Sequence, residues 1–372
     1  MVLHILSDDK FTEYAINQFF DGGICSELVV IPPGNGKSFV NSDKVKKIKY
    51  PSPEFTDLLS NLEIYSGIVL HGLFWPYDEE IIRAAPASVK IAWYFWGGEI
   101  YSHKDVMLSF LAPFTKLLYR LHLLKKSQTY EESLKWQLPL ELYKRINYCI
   151  TSEYEEYEYA KRYTHSDMDF LWYTCYSIED TVGELMKYRS NGDDVLFCNS
   201  AAIENNMFDA ALRLARPKYR KILASRNVIM PMGYGVQWVK KLMLKLGPHC
   251  FKNFKPIVDF LPRDQYNRMM IDCSTLILPY HSPAGQGNII TALWLGMRVY
   301  ISEKSIAYQY FKRIDAKVYS FESDFVKYGC KTLSEEIVEH NRNILSHVYG
   351  RENVYKCARN IIDVLEGASN AK

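Results

Sequence analysis

The sequence predicts an α/β protein made of two Rossmann-like domains facing across a cleft. Three observations predict it. Short β-rich apolar runs alternate with helix-period segments almost from end to end, the pattern of βαβ units and a parallel sheet. The alternation breaks once, at a polar and charged stretch over 177–194 with the turn Asn191-Gly192-Asp193-Asp194, and then restarts. The length of 372 residues also exceeds the roughly 250–300 that one hydrophobic core serves. We therefore expect a first domain over residues 1–176, a linker over 177–194 and a second domain over 195–350, with a C-terminal helix at about 351–368 packing back on the first.

In the first domain the expected strands are Val2–Ser7, Glu27–Pro32, an edge strand at Val45–Tyr50, Tyr65–His71, Val89–Trp96, Asn147–Thr151 and Phe170–Thr174. Helical periodicity falls at Thr12–Phe20, Glu54–Leu62 and Glu79–Ala85. The second set runs strand Val195–Asn199, helix Asn206–Arg216, strand Val228–Met232, helix Val236–Leu246 and strand Phe254–Phe260. Helix Arg263–Asp272, strand Thr275–Tyr280, helix Asn288–Leu295 and strand Val299–Ser302 follow. Two amphipathic helices, about Leu333–Val348 and Asn353–Leu365, end the chain.

Composition narrows the function. Lys and Arg number 45 against 43 Asp and Glu, too even a balance for a general nucleic-acid binder. The eight cysteines form no CxxC pair, so neither a zinc ribbon nor a thioredoxin-like site is expected, and reduced thiols in a cytosolic protein are the simplest account. No run approaches the ~20 apolar residues of a membrane span. The start MVLHILSDDK reads as a core strand rather than a signal peptide. Aromatic residues reach 14%, which serves cores or the stacking of sugars and bases.

Neither GxGxxG nor GxxxxGK[ST] follows the first strand, where Ser7-Asp8-Asp9-Lys10 stands, so a dinucleotide oxidoreductase and a P-loop NTPase are not expected. Pro32-Pro33-Gly34-Asn35-Gly36-Lys37-Ser38 lacks the P-loop spacing and reads as a turn. Later, strand Thr275–Tyr280 leads through His281-Ser282-Pro283-Ala284-Gly285-Gln286-Gly287-Asn288 into an apolar helix. Strand, glycine loop and helix N-terminus make an anion site from bare amides, with Asn288 as the expected cap. Met230-Pro231-Met232-Gly233-Tyr234-Gly235 repeats the form, and Asn199-Ser200 ends the first strand of this domain. Loops at one sheet edge carrying small and amide residues suit a nucleoside diphosphate. In the first domain, His71-Gly72-Leu73-Phe74-Trp75-Pro76 ends one strand and Trp93-Tyr94-Phe95-Trp96-Gly97-Gly98-Glu99-Ile100-Tyr101 the next. Glu99 could take a proton from an acceptor hydroxyl, with His71 as the second candidate. The stretch Val106–Lys126 carries Phe, Tyr and Leu with Lys116, Arg120, Lys125 and Lys126. It suits either an anionic membrane surface or packing on the first sheet, and Pro113 should kink it or open its main helix.

Taken in order, HGxFxP at 71–76, WxxWGxxxY at 93–101, Asn199-Ser200 with Asn205, PMGY at 231–234 and the glycine loop at 285–288 resemble a known family. It is the TDP-N-acetylfucosamine:lipid II N-acetylfucosaminyltransferases, glycosyltransferase family 56 of enterobacterial common antigen synthesis. The resemblance covers about residues 65–302. It implies a GT-B glycosyltransferase fold, a TDP-sugar donor and no metal or cofactor. It also implies a polyprenyl-diphosphate-linked saccharide acceptor at the inner face of the cell membrane. His71, Gly72, Trp93, Trp96, Gly97 and Tyr101 match the first-domain motifs, on the acceptor side. Asn199, Ser200, Asn205, Met232, Gly233, Tyr234, Gly285 and Gly287 match those of the donor side, where Tyr280, Gln286 and Asn288 are neighbours in the loop. The chain departs from the family where Glu99 replaces an Asp-like residue, and where Ala201-Ala202-Ile203-Glu204 and Ser282-Pro283-Ala284 replace its Arg-bearing loops.

The expected reaction moves a sugar from a nucleoside diphosphate onto a lipid-linked saccharide. The helix start at 285–288 would hold the leaving diphosphate, and Glu99 or His71 would stand near the acceptor hydroxyl. Whether the anomeric centre inverts is left open by the sequence. Asp167-Met168-Asp169 has the DxD form of metal-dependent transferases but precedes a strand, so it reads as a turn. A two-domain sugar-nucleotide epimerase and a non-catalytic sugar-nucleotide-binding protein are the alternatives.

Overall fold

The structure is a computed structural model that describes residues 1–8, 12–21, 26–32, 40, 42–125 and 136–367. Asp9, Lys10, Cys25, the turn residues 33–38 and Lys126 lie outside the described residues. The described residues fall into two compact units. One holds residues up to 103, those from 136 to 177 and those from 349 onward; the other holds 104–125 and 178–348.

The first unit is built on a seven-stranded sheet, β1 (Val2–Ser7), β2 (Ser26–Ile31), β3 (Lys46–Lys47), β4 (Gly67–His71), β5 (Lys90–Tyr94), β6 (Tyr148–Thr151) and β7 (Asp169–Trp172). Its order is β3-β2-β1-β4-β5-β6-β7 and every pairing is parallel. The central strands read as unbroken apolar runs because both faces are covered by helices. All five residues of β4 are buried. The edge strand β3 shrinks to two exposed lysines. Short, charged edges of this kind resist pairing with another chain.

The second unit repeats the plan with β8 (Asp194–Phe197), β9 (Val228–Pro231), β10 (Phe254–Ile257), β11 (Cys273–Leu278), β12 (Arg298–Ile301) and β13 (Tyr319–Ser320). Its order is β10-β9-β8-β11-β12-β13, again wholly parallel. Numbered within each sheet, both orders begin 3-2-1-4-5-6, the doubly wound Rossmann arrangement. Chain direction reverses beside the first strand of each, between β1 and β4 and between β8 and β11, and ligands of such sheets bind at that switch point.

The final helix, Arg351–Glu366, belongs to the first unit, and Val354, Ala358, Ile361, Ile362 and Leu365 lie on its buried face. They join Val2, Leu6, Ile16, Phe19 and Val69 in one core. Gly67 at the start of β4 allows this, because a Cβ there would lie 2.8 Å from Leu365 Cβ. The Lys90 Nζ donates to Val364 O at 2.8 Å.

Helices Lys104–Phe110 and Pro113–Lys125 belong to the second unit. Pro113 opens the longer one, as a proline at the first helical position should. The cause of the placement is capping. Asp209 accepts from the Phe114 and Thr115 amides and the Thr115 hydroxyl at 2.9, 2.7 and 2.7 Å. Asn206 accepts from the Ala112 amide at 2.7 Å and donates to Phe110 O at 2.9 Å. Such long-range caps leave no trace in local sequence, so neither of the two expectations for this stretch, a membrane surface or the first sheet, points to the second unit. Over 177–194, Ile178–Val182 is helical and Gly183–Lys187 forms a 3₁₀ turn, both in the second unit. Among the described residues, no helix is long and apolar enough to cross a membrane.

Candidate functional site

In the first unit the chain leaves β5 through Phe95-Trp96-Gly97-Gly98. Gly97 sits at φ 90°, and a Cβ there would lie 2.8 Å from the Tyr101 ring. That conformation is open to glycine at little cost, and it folds Glu99 back beneath the strand end. The Trp93 indole N–H donates to Glu99 Oε1 at 3.1 Å, and the Trp96 amide donates at 3.3 Å. Glu99 is 6% exposed. Its Oε2 is buried with no hydrogen bond of ordinary geometry. Burial lifts the carboxyl to a pKa of about 7, against the hydrogen bonds that favour its charge. A carboxyl poised near neutrality is suited to proton transfer at ordinary pH.

His71, at the end of β4, has a different environment. Its Nε2 lies 3.0 Å from Nδ1 of buried His4, and its ring meets Phe19 and Tyr94 edge-on. Burial holds its pKa down at about 3. It is a neutral core histidine with one nitrogen engaged, while Glu99 is the group with a spare oxygen. Trp96 packs on Tyr94 with ring centroids 4.7 Å apart. Tyr101 packs between Phe95 and Tyr159.

Two further carboxyls at this edge escaped the sequence reading. Asp78 Oδ2 accepts from the Phe74 and Trp75 amides at 3.0 and 2.9 Å, which fixes the loop after β4. Burial and the nearby Glu99 charge raise its pKa. An acid three residues into a Pro-started helix is the capping signature that could have found it. Glu156, on helix Tyr154–Thr164, accepts from the Thr151 hydroxyl at 3.0 Å. Nothing local marks it among the other glutamates of that helix.

The residues expected on the donor side gather, in the second unit, at the β8–β11 switch point. Cys198, directly after β8, is held in the left-handed region at φ 60°. Strain of that kind, about 1–3 kcal/mol, persists where the surroundings enforce it and clusters at functional sites. The turn brings Asn199 under the end of β11, where its Oδ1 accepts from the Tyr280 hydroxyl at 2.7 Å. Asn205 Nδ2 donates to Ser200 O at 2.8 Å and to its hydroxyl at 3.1 Å. Gly285 takes φ 73° and is the N-cap of helix Gln286–Trp294, giving its amides no side-chain cap. Asn288 is therefore the third helical residue and not the cap, because the left-handed turn comes at the glycine. A Cβ on Gly285 would lie 3.3 Å from Tyr280 Cε2 and 3.6 Å from Asn199 Nδ2, so the side-chain amide and the helix start adjoin. Gly287 has room around it, with Thr181 the nearest neighbour of a Cβ at 3.9 Å. Gln286 and Asn288 are partly exposed beside it.

The PMGY loop adjoins the same place. The Ala201 amide donates to Tyr234 O at 2.9 Å and the Val236 amide to Ala201 O at 3.0 Å. The Tyr234 side chain hydrogen-bonds Ser200 while much of its ring stays open. Met232 is fully buried, and its amide donates to Ile257 O at 2.7 Å. Gly233 lets the loop pass close to Asp259, whose carbonyl oxygen would be 2.5 Å from a Cβ. Tyr266, absent from the sequence-derived set, keeps its hydroxyl buried and unbonded. Asp169 opens β7, which puts the DxD at a strand start. Among the described residues no group of three or more His, Cys, Asp or Glu is placed to hold a metal.

The chain matches no protein-family model, and no curated protein matches it in sequence. Its likenesses are to solved structures. The lipopolysaccharide outer core galactosyltransferase WaaB matches with TM-score 0.60 and 11% identity over 98% of this chain and 99% of that one. HepE of Anabaena, in complex with UDP and glucose, matches with TM-score 0.56 and 10% identity over 98% and 99%. The sucrose-phosphate synthase of Thermosynechococcus elongatus matches with TM-score 0.57 and 11% identity over 99% of both chains. The chain spans 60% of the length of the matched chain in the GtfA/B complex. At such identities the likeness carries the fold: a glycosyltransferase-like, GT-B architecture of two Rossmann-like domains.

Proposed function

We propose that the protein is a glycosyltransferase that takes a deoxy or amino sugar from a nucleoside-diphosphate sugar, TDP favoured, to a polyprenyl-diphosphate-linked saccharide in surface-polysaccharide synthesis. The observation that carries the reading is the cluster of Asn199, Ser200, Asn205, Tyr280 and the Gly285 helix start at one switch point. A helix start without a side-chain cap and a neutral side-chain amide beside it suit a diphosphate. HepE, of similar fold, is known with UDP-glucose, which supports a nucleotide-sugar donor.

In the reaction, Glu99 takes the proton as the acceptor O–H bond breaks. The acceptor oxygen bonds the anomeric carbon, and the bond to the diphosphate oxygen breaks with its electrons leaving on the nucleotide. On the second unit, a helix start such as that at Gly285 favours the negative charge of a bound diphosphate. Trp93 and Trp96 orient Glu99, and Tyr101 backs the glycine turn that presents it. His71 is the second candidate for the base. Phe114, Leu117 and Leu121 form an exposed apolar stripe with Arg120 beside them. That stripe supports peripheral attachment to an anionic membrane face, where a lipid-linked acceptor lies.

A thermal-shift screen of TDP, UDP, GDP and CMP, followed by transfer assays on the Glu99→Gln variant, tests the reading. It requires stabilisation by TDP or UDP, retained in the variant, with transfer reduced at least 100-fold. Stabilisation by no nucleotide would remove the donor assignment, and unchanged transfer would remove Glu99 from the mechanism. Turnover of the nucleotide sugar without any acceptor, through an epimer, would favour an epimerase.

A further inference from the structure

We infer that Phe74 and Trp75 form a preorganised aromatic platform for a neutral pyranose ring of the acceptor saccharide, with Asp78 as its positioning residue. The acceptor role rests on the proposed function, while the platform itself stands on the geometry of the first unit. The two adjacent side chains are exposed, Phe74 by 38% and Trp75 by 47%, where the chain passes from β4 to helix Pro76–Ala84. The Phe74 ring is seated against two glycine backbones. A Cβ on Gly72, at φ 102°, would lie 2.6 Å from its Cε2, and one on Gly98 would lie 3.1 Å from its Cε1. Gly98 immediately precedes Glu99, so the ring adjoins the residue proposed as base. The Trp75 ring lies near-parallel to that of buried Tyr77, with planes at 19° and centroids 6.4 Å apart. Asp78, itself 2% exposed, accepts from the amides of both Phe74 and Trp75 at 3.0 and 2.9 Å.

Large rings held at the surface forgo the burial that would offset the cost of ordering them, and burying a carboxyl to fix their backbone adds to that cost. The arrangement gains its return when a ligand arrives, because rings already in place lose little freedom on binding. The face of an aromatic ring is electron-rich. The C–H groups on one face of a pyranose are apolar and weakly positive, so they suit that surface while the hydroxyls at the rim stay free for hydrogen bonds. Charge selects among ligands with a flat face. The helix that follows carries Asp78 and Glu79 in its first turn and Glu80 next, and its Arg83 is tied back to Glu79 at 2.8 Å. An acidic surround repels the phosphates of a nucleotide or of an anionic lipid and leaves an uncharged sugar unaffected.

The test follows the indole N–H signal of Trp75 by NMR in the full-length, 15N-labelled protein, assigned by its loss in Trp75→Leu. Titration with methyl β-D-glucopyranoside and with N,N′-diacetylchitobiose should move this signal saturably. In Phe74→Ala the sugars should bind roughly tenfold more weakly, the loss of one ring contact. Asp78→Ala should weaken them similarly, and Asp78→Asn, whose side-chain oxygen can still accept from both amides, should restore them. In transfer assays Trp75→Leu should raise the acceptor KM more than it lowers kcat, with stabilisation by TDP retained. A Trp75 signal unmoved by both sugars overturns the platform, as does one moved instead by TDP or by phosphatidylglycerol vesicles. Equal sugar affinity in Asp78→Ala removes Asp78 as the positioning residue. If the sugars bind as stated but no nucleotide sugar turns over, the platform stands and the transferase reading fails. If transfer proceeds in Trp75→Leu with an unchanged acceptor KM, the platform fails and the transferase reading stands.

Discussion

His71 ends β4 and Glu99 follows β5, the neighbouring strand; the sequence ranks Glu99 first and His71 second, and burial separates them further. An imidazole loses its charge on burial and a carboxyl keeps its proton, so the same desolvation pushes one pKa to about 3 and the other to about 7. The carboxyl shift is also a statement about stability. Glu99 binds its proton more tightly in the folded chain than its ordinary value of 4.5, so between about 4.5 and 7 the folded state carries more protons than the unfolded one. Stability therefore falls as pH rises through that range, by up to about 3 kcal/mol for this group. Melting curves from pH 5 to 8 should show the decline. In Glu99→Gln the decline should be shallower, and the variant should melt above the unmodified protein at pH 8. Parallel curves for the two proteins would mean that Glu99 is not held protonated by the fold.

At the scale of elements, the glycine-opened helix is the part of the site most legible in sequence. Strand, glycine loop and apolar helix follow one another within some twenty residues, and the structure brings them into the expected order. What local sequence hid was the cap. An asparagine is a common N-cap, but Gly285 takes the left-handed turn three residues before the expected helix start and pushes Asn288 inside. The placement of helix Pro113–Lys125 was hidden for a similar reason, since Asp209 and Asn206, which cap and anchor it, lie about 95 residues further along. Asn199 and Tyr280 read as the ends of two separate strands and Asn205 as a motif residue, and the hydrogen bonds of Asn199 to the other two appear only once β8 and β11 are paired. Replacing Gly285 by Ala tests the element directly. The left-handed backbone should cost about 1–2 kcal/mol, and the methyl would press on Tyr280. Calorimetric titration with TDP should then show at least tenfold weaker binding than the unmodified protein, whereas equal affinity would place the diphosphate elsewhere.

For the whole molecule, the repeated 3-2-1-4-5-6 order explains why the two-domain plan could be read from periodicity. The central parallel strands are buried on both faces and announce themselves as apolar runs. The membership of the last helix rests on the same logic at longer range. Its stripe of Val354, Ala358, Ile361, Ile362 and Leu365 was visible as amphipathic spacing, but Gly67 is what admits Leu365 to the first core. Gly67→Ala should lower stability by about 1–3 kcal/mol through overpacking, measured by urea unfolding, and an unchanged midpoint would mean that the helix is not seated there.

The claim on which the functional account turns is that the second unit holds a nucleoside diphosphate at its switch point. A crystal of the protein soaked with TDP measures this directly. The account predicts diphosphate oxygens within hydrogen-bond distance of the amides at 286–288, with Asn199 Nδ2 alongside. Nucleotide density seated on the first unit, or away from Gly285 on the second, would contradict it.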